Sequence, residues 1–134
     1  MQILMFGCMG IYELYINMGC VMLDKLYGIN TELGMSYCMD DEDFYREVLE
    51  EYINSNKVEE LKKFYAEEDW YNYRIRIHSV KSTSLTIGAE ELSAEALSIE
   101  NACKSEDVST IRARHQGCLD MYIKVLEIVK NAVA

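Results

Sequence analysis

The chain contains no proline. Over 134 residues that removes the strongest interrupter of helices and favours long continuous ones. Glycine is scarce too, with seven residues grouped near the N-terminus and at expected helix ends. Cations are outnumbered: 13 Lys and Arg stand against 23 Asp and Glu, a net charge of -10. A general nucleic-acid binder needs the opposite balance, because Lys and Arg neutralise phosphate. No strand-like alternation of useful length occurs. There is no Gly-rich phosphate loop with its lysine, so no nucleotide site is expected. No Ser, Cys or acidic constellation has a spacing that suggests hydrolysis.

The five cysteines, Cys8, Cys20, Cys38, Cys103 and Cys118, are odd in number and lack zinc-site spacing. They read as reduced, mostly buried thiols in a cytoplasmic protein, and no metal is expected. Half the residues are hydrophobic and 27% are charged, which suits a globular chain of one domain.

Residues 1–27 read as an apolar helical extension. Met1 to Leu23 carries one charged side chain, Glu13. It lacks the basic region and cleavage site of a signal peptide. It is long enough to span a membrane, but Gln2, Glu13, Asn17 and three glycines weaken that reading. The expectation is packing on the rest of the chain or on a second copy, hence a homodimer through residues 1–27.

Residues 28–134 divide into helices. Asn30 or Thr31 caps a short helix, Glu32 to Tyr37. Between Asp41 and Ala66, Phe44, Val48, Leu49, Tyr52, Ile53, Val58, Leu61, Phe64 and Tyr65 fall at helical spacing. They predict one helix, or two with a break near Asn54-Ser55-Asn56. Asp69 caps the next, whose seam is Trp70, Tyr73, Ile77, Val80, Ser84 and Ile87, ended by Gly88. Leu92, Ala96, Ile99 and Cys103 form a stripe in a helix from Ala89 to Lys104. Ser105 to Asp107 start the last, with Val108, Ile111, Cys118 or Leu119, Tyr122, Val125 and Val129 inward. The expected fold is all-α, an up-down four-helix bundle.

Against the acidic background, no Asp or Glu occurs from Trp70 to Ala89, while Arg74, Arg76 and Lys81 do. His78 lies in that window. At 100° per residue, with His78 at zero, Lys81 falls at about -60°, Ser82 at about 40°, Leu85 at about -20°, Arg74 at about -40° and Tyr71 at about 20°. These residues share one face, and the buried seam centres near about -120°. His78 therefore leans to solvent, where another protein can touch it. A neutral imidazole is a good nucleophile towards phosphorus. Lys81, at i+3, is placed to neutralise transferring oxygens, and Ser82, at i+4, leaves room for a partner. Arg74 and Arg76 add positive potential that steers an acidic partner, although Arg76, near about 160°, is equally suited to pairing with a neighbouring helix. Ser84 reads as a packing residue. His115 has Cys118 at i+3 instead of lysine and reads as an ordinary helix histidine.

The run His78-Ser-Val-Lys81-Ser82-Thr-Ser84-Leu-Thr-Ile87-Gly88 resembles the signature of histidine-containing phosphotransfer (HPt) domains. That pattern is His-x-x-Lys-Gly/Ser-x-Ser/Ala, with glycine a few residues on. The similarity extends from about Gly28 to Val133 and includes Gly88-Ala89-Glu90-Glu91-Leu92. Ser82 departs from it, since glycine is common there.

The resemblance implies a four-helix bundle with an exposed phosphoryl-accepting His78. It implies exchange with an aspartate on a response-regulator receiver domain, or with a hybrid sensor histidine kinase. Lys81 and Ser82 would assist, Tyr71, Arg74 and Leu85 would dock the partner, and Ser84 and Gly88 would shape the motif. It implies no cofactor on this chain, since Mg²⁺ sits on the receiver, and no autonomous kinase or ATPase activity. The alternative from the residues alone is a non-catalytic helical module for docking or dimerisation.

Overall fold

The computed structural model describes residues 29–134, so the expected extension over residues 1–27 lies outside the described residues. The described chain is all-helical. Its elements are α1 (Thr31–Tyr37), α2 (Glu42–Asn54), α3 (Val58–Ala66), α4 (Trp70–Ile87), α5 (Glu90–Lys104) and α6 (Val108–Val133).

Local chemistry sets the helix starts. Asn30, Asp41, Asp69 and Asp107 each accept a backbone N–H from the first turn that follows. Residues 55–57 are a true break between two helices. There the Asn56 side chain accepts from the Val58 N–H, and the Lys57 N–H donates to the Tyr122 hydroxyl of α6 at 2.9 Å. The backbone groups freed by the break are thus satisfied locally and across the core.

Helix α4 is the hub. It packs against α1, α2, α3 and α5, while α6 packs against α2, α3 and α5. Its seam is as expected: Tyr73, Ile77, Val80, Ser84 and Ile87 are buried. Ser84 is a core residue whose hydroxyl lies 2.8 Å from the Tyr52 hydroxyl of α2. On α2 the register differs by one residue. Tyr45 is buried and Phe44 is exposed, because the Tyr45 hydroxyl donates to the Ile87 carbonyl at 2.8 Å and its ring packs on Gly34. On α6 the stripe also includes His115, which stacks on Tyr65 at 3.6 Å and meets the Tyr73 hydroxyl through Nδ1 at 2.7 Å.

Gly88 ends α4 at φ 94°, in the left-handed region. Its carbonyl accepts from the Asn30 N–H at 2.7 Å. A Cβ at Gly88 would lie 2.1 Å from the Asn30 carbonyl oxygen, so both conformation and space require glycine. This contact ties α1 to the end of the histidine helix.

Candidate functional site around His78

The α4–α5 turn spans only Gly88 and Ala89, so α5 folds back along α4. The Ser93 hydroxyl donates to the Lys81 carbonyl at 2.9 Å and fixes the register. Glu100 lies seven residues beyond Ser93, two turns along the same face of α5. It therefore arrives beside His78.

His78 presents 57% of its side chain to solvent. Its Nδ1 lies 2.7 Å from Glu100 Oε2. Glu100 itself is only 4% exposed at the side chain. Lys81 Nζ lies 3.0 Å from the other oxygen, Oε1, and Lys104 Nζ lies 3.7 Å from Oε2. Among the described residues Oε1 has the Lys81 ammonium as its cation and no further polar partner. Burial pushes the Glu100 carboxyl up, but the Lys81 and His78 contacts outweigh it and hold the carboxyl below its ordinary range. The group is a carboxylate, which can only accept, so it draws a ring proton to Nδ1. That fixes the tautomer with the lone pair on Nε2.

The expected site residues fall as follows. His78, Ser82, Tyr71 and Leu85 are exposed on one face of α4, and Arg74 beside them is half-buried. Ile75 joins that face as an exposed apolar side chain. Arg74, Ile75, His78, Glu100 and Lys104 line an open cleft of about 310 Å³. Arg76 leaves the site: it pairs with Glu60 of α3 and lies over the Phe64 ring, so its charge is met locally. Lys81 is turned inward to Glu100 and is 25% exposed. Ser84 and Gly88 shape the helix and touch no part of the cleft.

Sequence reasoning missed Glu100 and Lys104. The acid-free window of α4 is acid-free only along the chain, since α5 supplies a carboxylate in space. No signal within α5 singles Glu100 out: it flanks the stripe Leu92, Ala96, Ile99, Cys103 on one side much as Glu95 does on the other.

Four other groups are chemically quiet. Burial pushes the Cys103 thiol up to about 11, away from thiolate chemistry. Burial lowers the pKa of His115, whose polar contact is with Tyr73. Among the described residues, Cys38, Cys103 and Cys118 are free thiols.

No protein-family model, curated protein or solved structure matches the chain.

The cleft therefore rests on its own geometry. Among the described residues, no three His, Cys, Asp or Glu side chains converge as a metal site would require. Among them, no helix is long and apolar enough to cross a membrane. What the arrangement offers is one exposed nucleophilic nitrogen, a buried carboxylate behind it, and cations around both.

Proposed function

We propose that the protein is a phosphorelay intermediate. His78 accepts a phosphoryl group from the aspartyl phosphate of a response-regulator receiver domain and returns it to such an aspartate. The observation that carries this reading is the buried Glu100 holding Nδ1 of an exposed histidine. A carboxylate behind the ring directs the other nitrogen outward as the nucleophile.

In the transfer, the Nε2 lone pair attacks phosphorus. A P–N bond forms, the P–O bond to the aspartate breaks, and its electron pair stays on the aspartate carboxylate. The ring keeps its Nδ1 proton and becomes cationic. Glu100, 2.7 Å from Nδ1, offsets that charge. No proton has to leave, so the reverse step needs none returned. Mg²⁺ belongs to the receiver in this scheme.

The helix arrangement is consistent with an up-down four-helix bundle. Helices α2 and α3 form one interrupted arm, and α4, α5 and α6 follow through short turns. Exposed Tyr71, Ile75 and Leu85 beside His78 give a receiver an apolar footing, and Arg74 complements an acidic partner. The reading places the protein in the cytoplasm, beside a receiver or a hybrid sensor histidine kinase.

The exposed apolar residues also favour a second reading, a docking module that carries no phosphate. Incubation with a receiver charged by a small phosphodonor separates the two. The relay predicts an acid-labile, base-stable phosphate on the wild type and none on His78→Gln. Receiver binding of equal strength in both, with no phosphate on either, would leave the docking module.

A further inference from the structure

We propose that Arg74 and Lys104 hold the oxygens of the phosphoryl group on His78, while Lys81 acts as the standing counterion of Glu100. The proposal rests on the phosphorelay reading and assigns two phosphoryl-binding residues within its site.

Lys81 is poorly placed for the role its position in the motif suggests. Its ammonium lies 3.0 Å from Glu100 Oε1 and is mostly withdrawn from solvent. That oxygen has no other polar partner among the described residues. Turning Lys81 outward would strip a buried carboxylate oxygen of its cation, a costly rearrangement in a dry site.

Lys104 faces the opposite balance. Its side chain is 54% exposed, and its 3.7 Å contact is to Oε2, which already accepts from His78. Releasing that contact costs less than releasing Lys81, because Oε2 keeps its His78 contact and the exposed Lys104 ammonium returns to water. Arg74 has no ion pair among the described residues and lies one helical turn before His78. Both residues line the open cleft with the imidazole, Arg74 from α4 and Lys104 from α5. A guanidinium fork and a mobile ammonium suit the oxygens of a dianion. Glu100, the carboxylate in that cleft, is already engaged with His78 and Lys81.

Cations that contact the bound phosphoryl group stabilise the phosphorylated chain. They shift the transfer equilibrium towards His78. For half-buried Arg74 and exposed Lys104, each contacting a dianion, removing one should lower that equilibrium constant about five- to tenfold.

The test mixes the full chain with a phosphorylated receiver and measures how label divides at equilibrium. Arg74→Gln and Lys104→Gln should each shift it about five- to tenfold towards the receiver, with the effect shrinking as salt rises. Lys124→Gln, an equal change of charge on the exposed side of α6, should shift nothing. A readout free of transfer is an NMR titration of the unphosphorylated chain with inorganic phosphate. Phosphate should perturb the cleft signals, less so in Arg74→Gln and Lys104→Gln, and still do so in His78→Gln. Equilibria unchanged in both cleft variants, or phosphate binding indifferent to both residues, would overturn the proposal. A wild type that takes no label would overturn the relay instead, and the phosphate titration would still decide whether the cleft binds an oxyanion.

Discussion

Replacing Glu100 with glutamine removes the carboxylate and keeps the shape. The Nδ1–H can still meet an amide oxygen, but the bond becomes neutral. Charge-assisted bonds exceed neutral ones by about 1 kcal/mol. Lys81 also loses its counterion 3.0 Å away. A fully buried pair broken this way costs about 3–5 kcal/mol, but Lys81 can rotate its ammonium into water and avoid most of that. The expected loss of stability is therefore about 1–2 kcal/mol. In a domain of roughly 100 residues that lowers Tm by about 5–10 °C, measured by circular dichroism. The same change frees the ring. Nitrogen chemical shifts should report an Nδ1–H imidazole at His78 in the wild type and a mixture of tautomers in Glu100→Gln. Losing about 1.4 kcal/mol of ring orientation slows phosphoryl uptake about tenfold. An unchanged Tm with an unchanged tautomer would refute the reasoning, since Glu100 would then neither anchor the helices nor set the ring.

Further expectations concern the frame that carries the site. Gly88→Ala should cost more than about 2 kcal/mol, from a left-handed φ of 94° and the clash with Asn30, whereas Gly117→Ala, whose Cβ meets nothing, should stabilise by about 0.5–1 kcal/mol in denaturant melts. Tyr52→Phe should cost about 1 kcal/mol by leaving the buried Ser84 hydroxyl unpaired, and a double-mutant cycle with Ser84→Ala should recover part of it. Acid should act in two windows. Burial holds the His115 pKa below the ordinary 6.5, so its native state binds fewer protons than the unfolded state; its contribution to stability is full above about pH 6.5 and declines as pH falls, a slope that His115→Gln should flatten. Glu100, also lowered, contributes above its ordinary 4.5 and loses that contribution as pH falls through its folded value, which stability curves of Glu100→Gln should show.

What could be read from the residues follows from where the relevant geometry is encoded. Within α4, angle follows from spacing, so the common face of Tyr71, Arg74, His78, Ser82 and Leu85 was legible. So was the burial of Ser84. Glu100 was not, because its meeting with His78 depends on the register of α5 against α4. That register is set by a two-residue turn and the Ser93 bond to Lys81, which a projection of one helix does not contain. Lys81 was placed on the right face, but its partner was hidden with Glu100. Arg76 was legible as an alternative: its angle suited a neighbouring helix, and Glu60 supplies the carboxylate. Phe44 and Tyr45 are adjacent aromatics of similar size, and the choice between them rests on Gly34 and the Ile87 carbonyl, both remote in sequence. Helix α1 was readable as a capped helix, but not as a strap held on α4 through Gly88.

The central claim is that the exposed nitrogen of His78 carries a phosphoryl group. The most direct measurement is a phosphorus–proton correlated NMR spectrum of the chain after incubation with a phosphorylated receiver. The account predicts one phosphorus resonance coupled to both carbon-bound ring protons of His78, as bonding at Nε2 requires. A phosphorus signal on any other side chain, coupling that places it on Nδ1, or no signal on the chain at all would contradict it.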